Sequence, residues 1–147
     1  DFLEIAKSIG AHEVLYKPAI KRRFMTLNIC LIEDDPTIRK ALSKVLEREG
    51  HFVAVCSNGR EGLNIASSRR FDLVITDIIM PEVEGIEVIQ KLRQHQPDLR
   101  IIAMSGGGRV GNTDFLEIAK SIGAHEVLYK PVTRTEVMQA IERCMAQ

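Results

Sequence analysis

Five short apolar runs, separated by amphipathic stretches, constrain the fold of this chain more than any other feature. They are LNICLI, FVAVC, FDLVIT, LRIIAM and HEVLYK. After the first run, Ile38, Ala41, Leu42, Val45 and Leu46 recur at helical spacing, which gives a helix with one apolar face. Asp35 is its N-cap and Pro36 its first residue, and Gly50 ends it. Asn58 with Glu61 and Thr133 with Glu136 read as capping boxes for two more helices. Gly85 to His95 forms another, and Asp114 with Glu117 caps the helix before HEVLYK. Runs such as LVIT and IIAM are continuously apolar, so their strands are buried on both faces. The chain is therefore read as α/β, a doubly wound five-stranded parallel sheet with helices on each side.

The chain has 147 residues, enough for one core, and its 20 basic residues balance 20 acidic ones. No global field points to direct nucleic-acid binding or to an anionic membrane. No apolar run approaches the roughly 20 residues that cross a bilayer, and the opening DFLEIAKSIG does not resemble a secretory leader. Cys30, Cys56 and Cys144 fit neither a disulfide framework nor a metal site, and a cytoplasmic location is expected.

Doubly wound sheets carry their chemistry at the carboxyl ends of the strands. Strand one ends in Glu33-Asp34-Asp35, strand three in Asp77, strand four in Ser105 and strand five in Lys130-Pro131. Clustered carboxylates repel unless a cation joins them, and an all-oxygen set suits Mg2+. An ionised Asp can accept a phosphoryl group, with an ammonium and a hydroxyl steadying the transferred oxygens. Asp35 alone is explained as a helix cap.

The stretches LIEDDPTIR, FDLVITDIIMPEVEGIEVI, IIAMSG and VLYKP resemble the motifs of bacterial response-regulator receiver domains, over Leu27 to about Ala146. The resemblance implies a flavodoxin-like sheet of order 2-1-3-4-5. It implies that Asp77 is the phosphorylated aspartate and that Asp34 is a direct Mg2+ ligand. Glu33 then holds the metal mainly through water, and the Ile79 backbone carbonyl completes the metal shell. Ser105 is the switch hydroxyl, Lys130 the family's lysine, and the Lys130-Pro131 bond is expected to be cis. The implied partners are a histidine kinase or phosphotransfer protein and an output partner that the sequence does not identify. The implied output face is the fourth helix, fifth strand and last helix. Such a domain assists its own modification and is not an enzyme acting on an external substrate. The rival reading is a pseudo-receiver that only binds proteins. An aspartyl-nucleophile phosphatase is disfavoured, because Ile79 stands where that family has a second Asp.

Several positions depart from the pattern. Glu33 is one methylene longer than the usual Asp. Val127 occupies the place of the family's aromatic switch, and Tyr129 stands two residues on, on the same strand face. Ile79 and Gly107 cannot orient an attacking water, so slow self-dephosphorylation is expected. GGGRVG matches GxGxxG, but it follows the fourth strand instead of the first, so a mobile loop beside Ser105 is the preferred reading. His12, His51, His95 and His125 share no metal spacing.

Residues 1–18 repeat residues 114–131 at all eighteen positions, after which AIKRRF replaces VTRTEV. Residues 1–24 are thus read as an extension without an independent domain, arising from a recent duplication or a junction, and residues 25–147 as the receiver domain. Lys17 copies Lys130 but lacks its acidic partners, so the copy is no second site. An extension with no evolved role is the preferred reading, and dimerisation or segment exchange through residues 1–18 is the sharper alternative. With no further domain after Gln147, output is expected through protein binding or through a domain outside this chain.

Overall fold

The computed structural model describes residues 25–78, 84–106 and 113–147, without the side chains of Glu84 and of residues 113–116. Its elements alternate: β1 (Asn28–Ile32), α1 (Pro36–Arg48), β2 (Phe52–Cys56), α2 (Gly59–Ser68), β3 (Leu73–Asp77), α3 (Glu84–His95), β4 (Arg100–Ser105), α4 (Thr113–Ile122), β5 (Glu126–Tyr129) and α5 (Arg134–Ala146). The five strands are all parallel, in the order β2-β1-β3-β4-β5. The order reverses direction at β1, which makes the ends of β1 and β3 the topological switch point of the sheet.

The continuously apolar runs behave as expected. Every residue of β3 is buried, because alternate side chains enter two separate cores. Cys30, Ile32, Val74, Ile101 and Ala103 face α2, α3 and α4, where they meet Ala66, Val88, Ile89, Leu92 and Ala119. Ile29, Leu31, Leu73, Ile75, Ile102 and Met104 face α1 and α5, where they meet Leu42, Leu46, Val137, Ala140 and Ile141. All three cysteines are buried free thiols, and the Sγ atoms of Cys30 and Cys56 lie 3.9 Å apart in the first core. Among the described residues, no helix is long and apolar enough to cross a membrane.

Helix starts follow the local chemistry. The Asp35 carboxylate accepts from the N–H groups of Thr37 and Ile38, with Pro36 in the first turn. Thr133 and Glu136 form a complete capping box on α5. On α2, Asn58 accepts from Glu61 N, while the Glu61 carboxylate reaches back to the N–H and hydroxyl of Ser57, one residue before the cap. The fourth helix starts at Thr113, so Asp114 lies inside its first turn instead of capping it. Gly50 has φ +92° at the end of α1, a left-handed conformation that favours glycine.

His51 and His125 are satisfied within the fold. Nδ1 of His51 accepts from Leu27 N at 3.1 Å, and Nδ1 of His125 accepts from Ile101 N at 3.1 Å. The expected extension, the tip of the GGGRVG loop and the copied segment at residues 1–18 all lie outside the described residues.

Candidate functional site

The parallel register delivers four chains of chemistry to one rim. β1 and β3 pair through Ile32 and Thr76, which brings Glu33 and Asp77 out side by side. β3 and β4 pair through Asp77 and Met104, and β4 and β5 through Ser105 and Tyr129. The backbone N–H of Lys130 then donates to Ser105 O at 2.8 Å, carrying the ladder one residue past the strand. The Lys130-Pro131 bond is cis, as the motif implies.

Lys130 Nζ donates to Asp77 Oδ2 at 2.8 Å and makes a second, shorter contact with Glu33 Oε1. Glu33 is fully buried, and Asp77 and Ser105 are each only 3% exposed. Asp34 is exposed and completes the set: carboxylate oxygens of Glu33, Asp34 and Asp77 all lie within 4.8 Å of one another. Among the described residues, three carboxylates therefore face one ammonium.

The titration of the buried pair reflects that imbalance. Burial pushes the Glu33 carboxyl up to about 7; the Asp77 charge adds to this and the Lys130 ammonium opposes it. Burial by itself would lower Lys130, but its hydrogen bonds to Asp77 and Glu33 outweigh burial and raise it. The second oxygen of Glu33, Oε2, is buried without a hydrogen-bond partner among the described residues. An orphaned buried carboxylate oxygen is costly unless something cationic or protic meets it. The donor set, all oxygen and short of positive charge, fits a hard divalent cation such as Mg2+.

Residues 29–142 match the family described as the response regulator receiver domain. The chain belongs to that family. Among curated relatives, this receiver is 35% identical over 118 residues to the DNA-binding transcriptional regulator NtrC of Azospirillum brasilense, covering 80% of this chain and 24% of that protein. It is 29% identical over 119 residues to sporulation initiation phosphotransferase F of Bacillus subtilis (strain 168), covering 81% of this chain and 94% of that protein. A solved receiver-domain protein from Clostridium thermocellum superposes with a TM-score of 0.73 at 31% identity, covering 83% of this chain and 95% of that one. The chain spans about a quarter of the length of several transcriptional regulators that it matches.

Of the expected site residues, Glu33, Asp34, Asp77 and Lys130 lie together at the ends of β1, β3 and β5, and Ser105 ends the neighbouring β4. Ile79 lies outside the described residues. Tyr129 is the register partner of Ser105, and Val127 packs against the core shared with α3 and α4.

Two residues had no role in the sequence reading. Arg39 donates to the carbonyls of Glu33 at 2.8 Å and Asp34 at 3.4 Å, and so holds the acidic turn. Helical side chains lean toward the N-terminus, so a basic residue one turn into α1 is the signal that could have found it. Gly85 lies against the end of β3: a Cβ there would meet Ile78 Cα at 2.3 Å and Asp77 O at 2.7 Å. Only a glycine allows α3 to approach the backbone of Asp77 so closely.

Proposed function

We propose that this receiver accepts a phosphoryl group on Asp77 from a phosphohistidine. The observation that carries this reading is the buried Asp77 carboxylate held at 2.8 Å by Lys130 within a three-carboxylate rim. A carboxylate oxygen of Asp77 attacks phosphorus as the P–N bond to the donor imidazole breaks, and an aspartyl phosphate results. Lys130, already hydrogen-bonded to the acceptor, meets the charge on the transferred oxygens. The Ser105 hydroxyl, at the end of the neighbouring strand, supplies a further donor to them.

Glu33, Asp34 and Asp77, with the Ile79 carbonyl implied by the family resemblance, would hold Mg2+, which supplies charge neutralisation for the incoming phosphoryl group. A histidine kinase or phosphotransfer protein is the donor in this reading, and the cytoplasm is the compartment. Occupancy of Ser105 and Lys130 alters the ends of β4 and β5, so the output surface is α4, β5 and α5, read by a partner protein or by a domain outside this chain. The chemistry is performed on the protein's own side chain, with no external substrate turned over.

Intact mass after incubation with Mg2+ and acetyl phosphate tests this. The expected result is one phosphoryl group added to the wild-type chain, dependent on Mg2+, and none in Asp77→Ala. If neither acetyl phosphate nor a phosphohistidine donor labels the chain, and beryllofluoride with Mg2+ does not bind, the phosphoacceptor reading fails and a purely protein-binding receiver replaces it.

A further inference from the structure

The turn between β1 and α1 carries two of the three rim carboxylates, and the two are fixed in different ways. Glu33 is fully buried and contacts Lys130, as the buried Asp77 does. Asp34 is exposed, so packing does not aim its carboxylate. Its direction depends on its own backbone, because φ and ψ fix the Cα–Cβ bond and the rotamers open to it.

Both peptide groups that flank Asp34 are held by one side chain. Arg39 Nη1 donates to the carbonyl of Glu33 at 2.8 Å and to that of Asp34 at 3.4 Å. The first carbonyl belongs to the peptide before the Asp34 Cα, the second to the peptide after it. At the start of the turn, the N–H of Glu33 donates to Cys56 O at 3.0 Å, which ties it to β2. Arg39 itself sits on α1, where its own N–H donates to Asp35 O at 2.9 Å. A half-buried guanidinium on a helix is therefore the clamp, and its bonds are charge-assisted. They go to carbonyl oxygens, not to the carboxylate that would meet a cation.

We infer that Arg39 is a positioning residue for Mg2+: by holding both peptides of Asp34, it aims that carboxylate toward Glu33 and Asp77. The inference rests on the Mg2+ site proposed above. Arg39 touches neither the ion nor the phosphoryl group. The sign of its effect separates positioning from charge. A guanidinium repels a nearby divalent cation, so by charge alone its removal tightens Mg2+ binding. Loss of positioning weakens binding, as loss of the groups that orient metal ligands does.

Amide NMR titration of the full chain with MgCl2, in the absence of a phosphoryl donor, tests it. In Arg39→Ala the Mg2+ dissociation constant should rise about tenfold or more. Arg39→Lys keeps the charge and a donor that can reach a carbonyl, and should recover part of the loss. The Val88 and Ile101 signals, from the core on the other side of the sheet, report that each variant is folded. With acetyl phosphate, the half-saturating Mg2+ concentration should rise with the dissociation constant, while the rate at saturating Mg2+ falls by less. An unchanged or lowered dissociation constant in folded Arg39→Ala overturns the inference and leaves the Mg2+ site standing. A saturated rate that falls as far as the affinity also overturns it, since Arg39 would then act on the phosphoryl group. A wild-type chain that binds no Mg2+ overturns the site and the inference together.

Discussion

At the scale of single residues, the shortage of positive charge around Asp77 decides what substitutions do. Lys130→Met leaves the buried Glu33 and Asp77 carboxylates without the ammonium they share. Phosphoryl incorporation should slow by about 10²-fold, the usual cost of removing one donor to developing charge. The rate of mass gain with acetyl phosphate checks this, and a rate within a factor of two of wild type would remove Lys130 from the chemistry. Histidines set a second, separate dependence. Burial lowers the pKa of His51 and, with help from Arg93 and Arg100, that of His125. Each is lower in the folded chain than in the unfolded one, so the unfolded state binds more protons as pH falls. The stability they contribute is present above the unfolded histidine value, about 6.5, and is lost as pH falls through the lower folded value. Glu33, raised to about 7, works in the opposite sense over the same range, so the histidine contribution is read as a difference between proteins. His51→Asn keeps an acceptor for Leu27 N–H but cannot titrate, so from pH 7 to pH 5 its urea midpoint should fall less, or rise more, than that of wild type; identical pH profiles would exclude His51 as a contributor.

At the scale of elements, local chemistry fixed most helix starts, and those were legible. The Thr133–Glu136 box on α5 is complete, and Thr133→Ala should cost about 1 kcal/mol, lowering the thermal midpoint by about 3 °C. Legibility failed where a start depends on what precedes it. Glu61 serves Ser57, outside the helix it begins, and the fourth helix begins one residue before its expected cap. It failed more completely at Gly85, whose role comes from two backbones meeting. No periodicity reveals that α3 touches the carbonyl of Asp77. Gly85→Ala gains helix propensity of about 1 kcal/mol but forces α3 away from backbone atoms that cannot yield. Net destabilisation of about 2 kcal/mol is expected from overpacking, together with slower phosphoryl acceptance because the carbonyl of the acceptor residue must move. Unchanged stability in calorimetry would mean that α3 slides freely on β3.

At the scale of the whole molecule, the site was legible because a topological rule collects it. Each of Glu33, Asp77, Ser105 and Lys130 terminates or directly follows its own strand, and a parallel doubly wound sheet places all those ends on one rim. Which acid takes Lys130 was not legible, since side-chain reach across β1, β3 and β5 depends on burial and register together. Glu33, one methylene longer than Asp, shares Lys130 with Asp77 and leaves Oε2 without a partner among the described residues, while Asp34 stays exposed at the rim. The fold thus holds three carboxylates close together at an electrostatic cost, and a divalent cation that relieves the cost must stabilise the entire domain by linkage. At a hundredfold excess over the dissociation constant the gain is about 2.7 kcal/mol. Saturating Mg2+ should raise the thermal midpoint of the wild-type chain by several degrees, about 5 °C or more for a domain of this size. Asp34→Asn removes one oxygen anion from the set without touching the Lys130 contacts. In the absence of Mg2+ it should be as stable as wild type or more so, and in its presence it should lose most of the increase. An equal Mg2+ shift in both proteins would place the ion away from this rim, whereas a loss of stability in Asp34→Asn without Mg2+ would mean that the three carboxylates do not repel as their spacing implies.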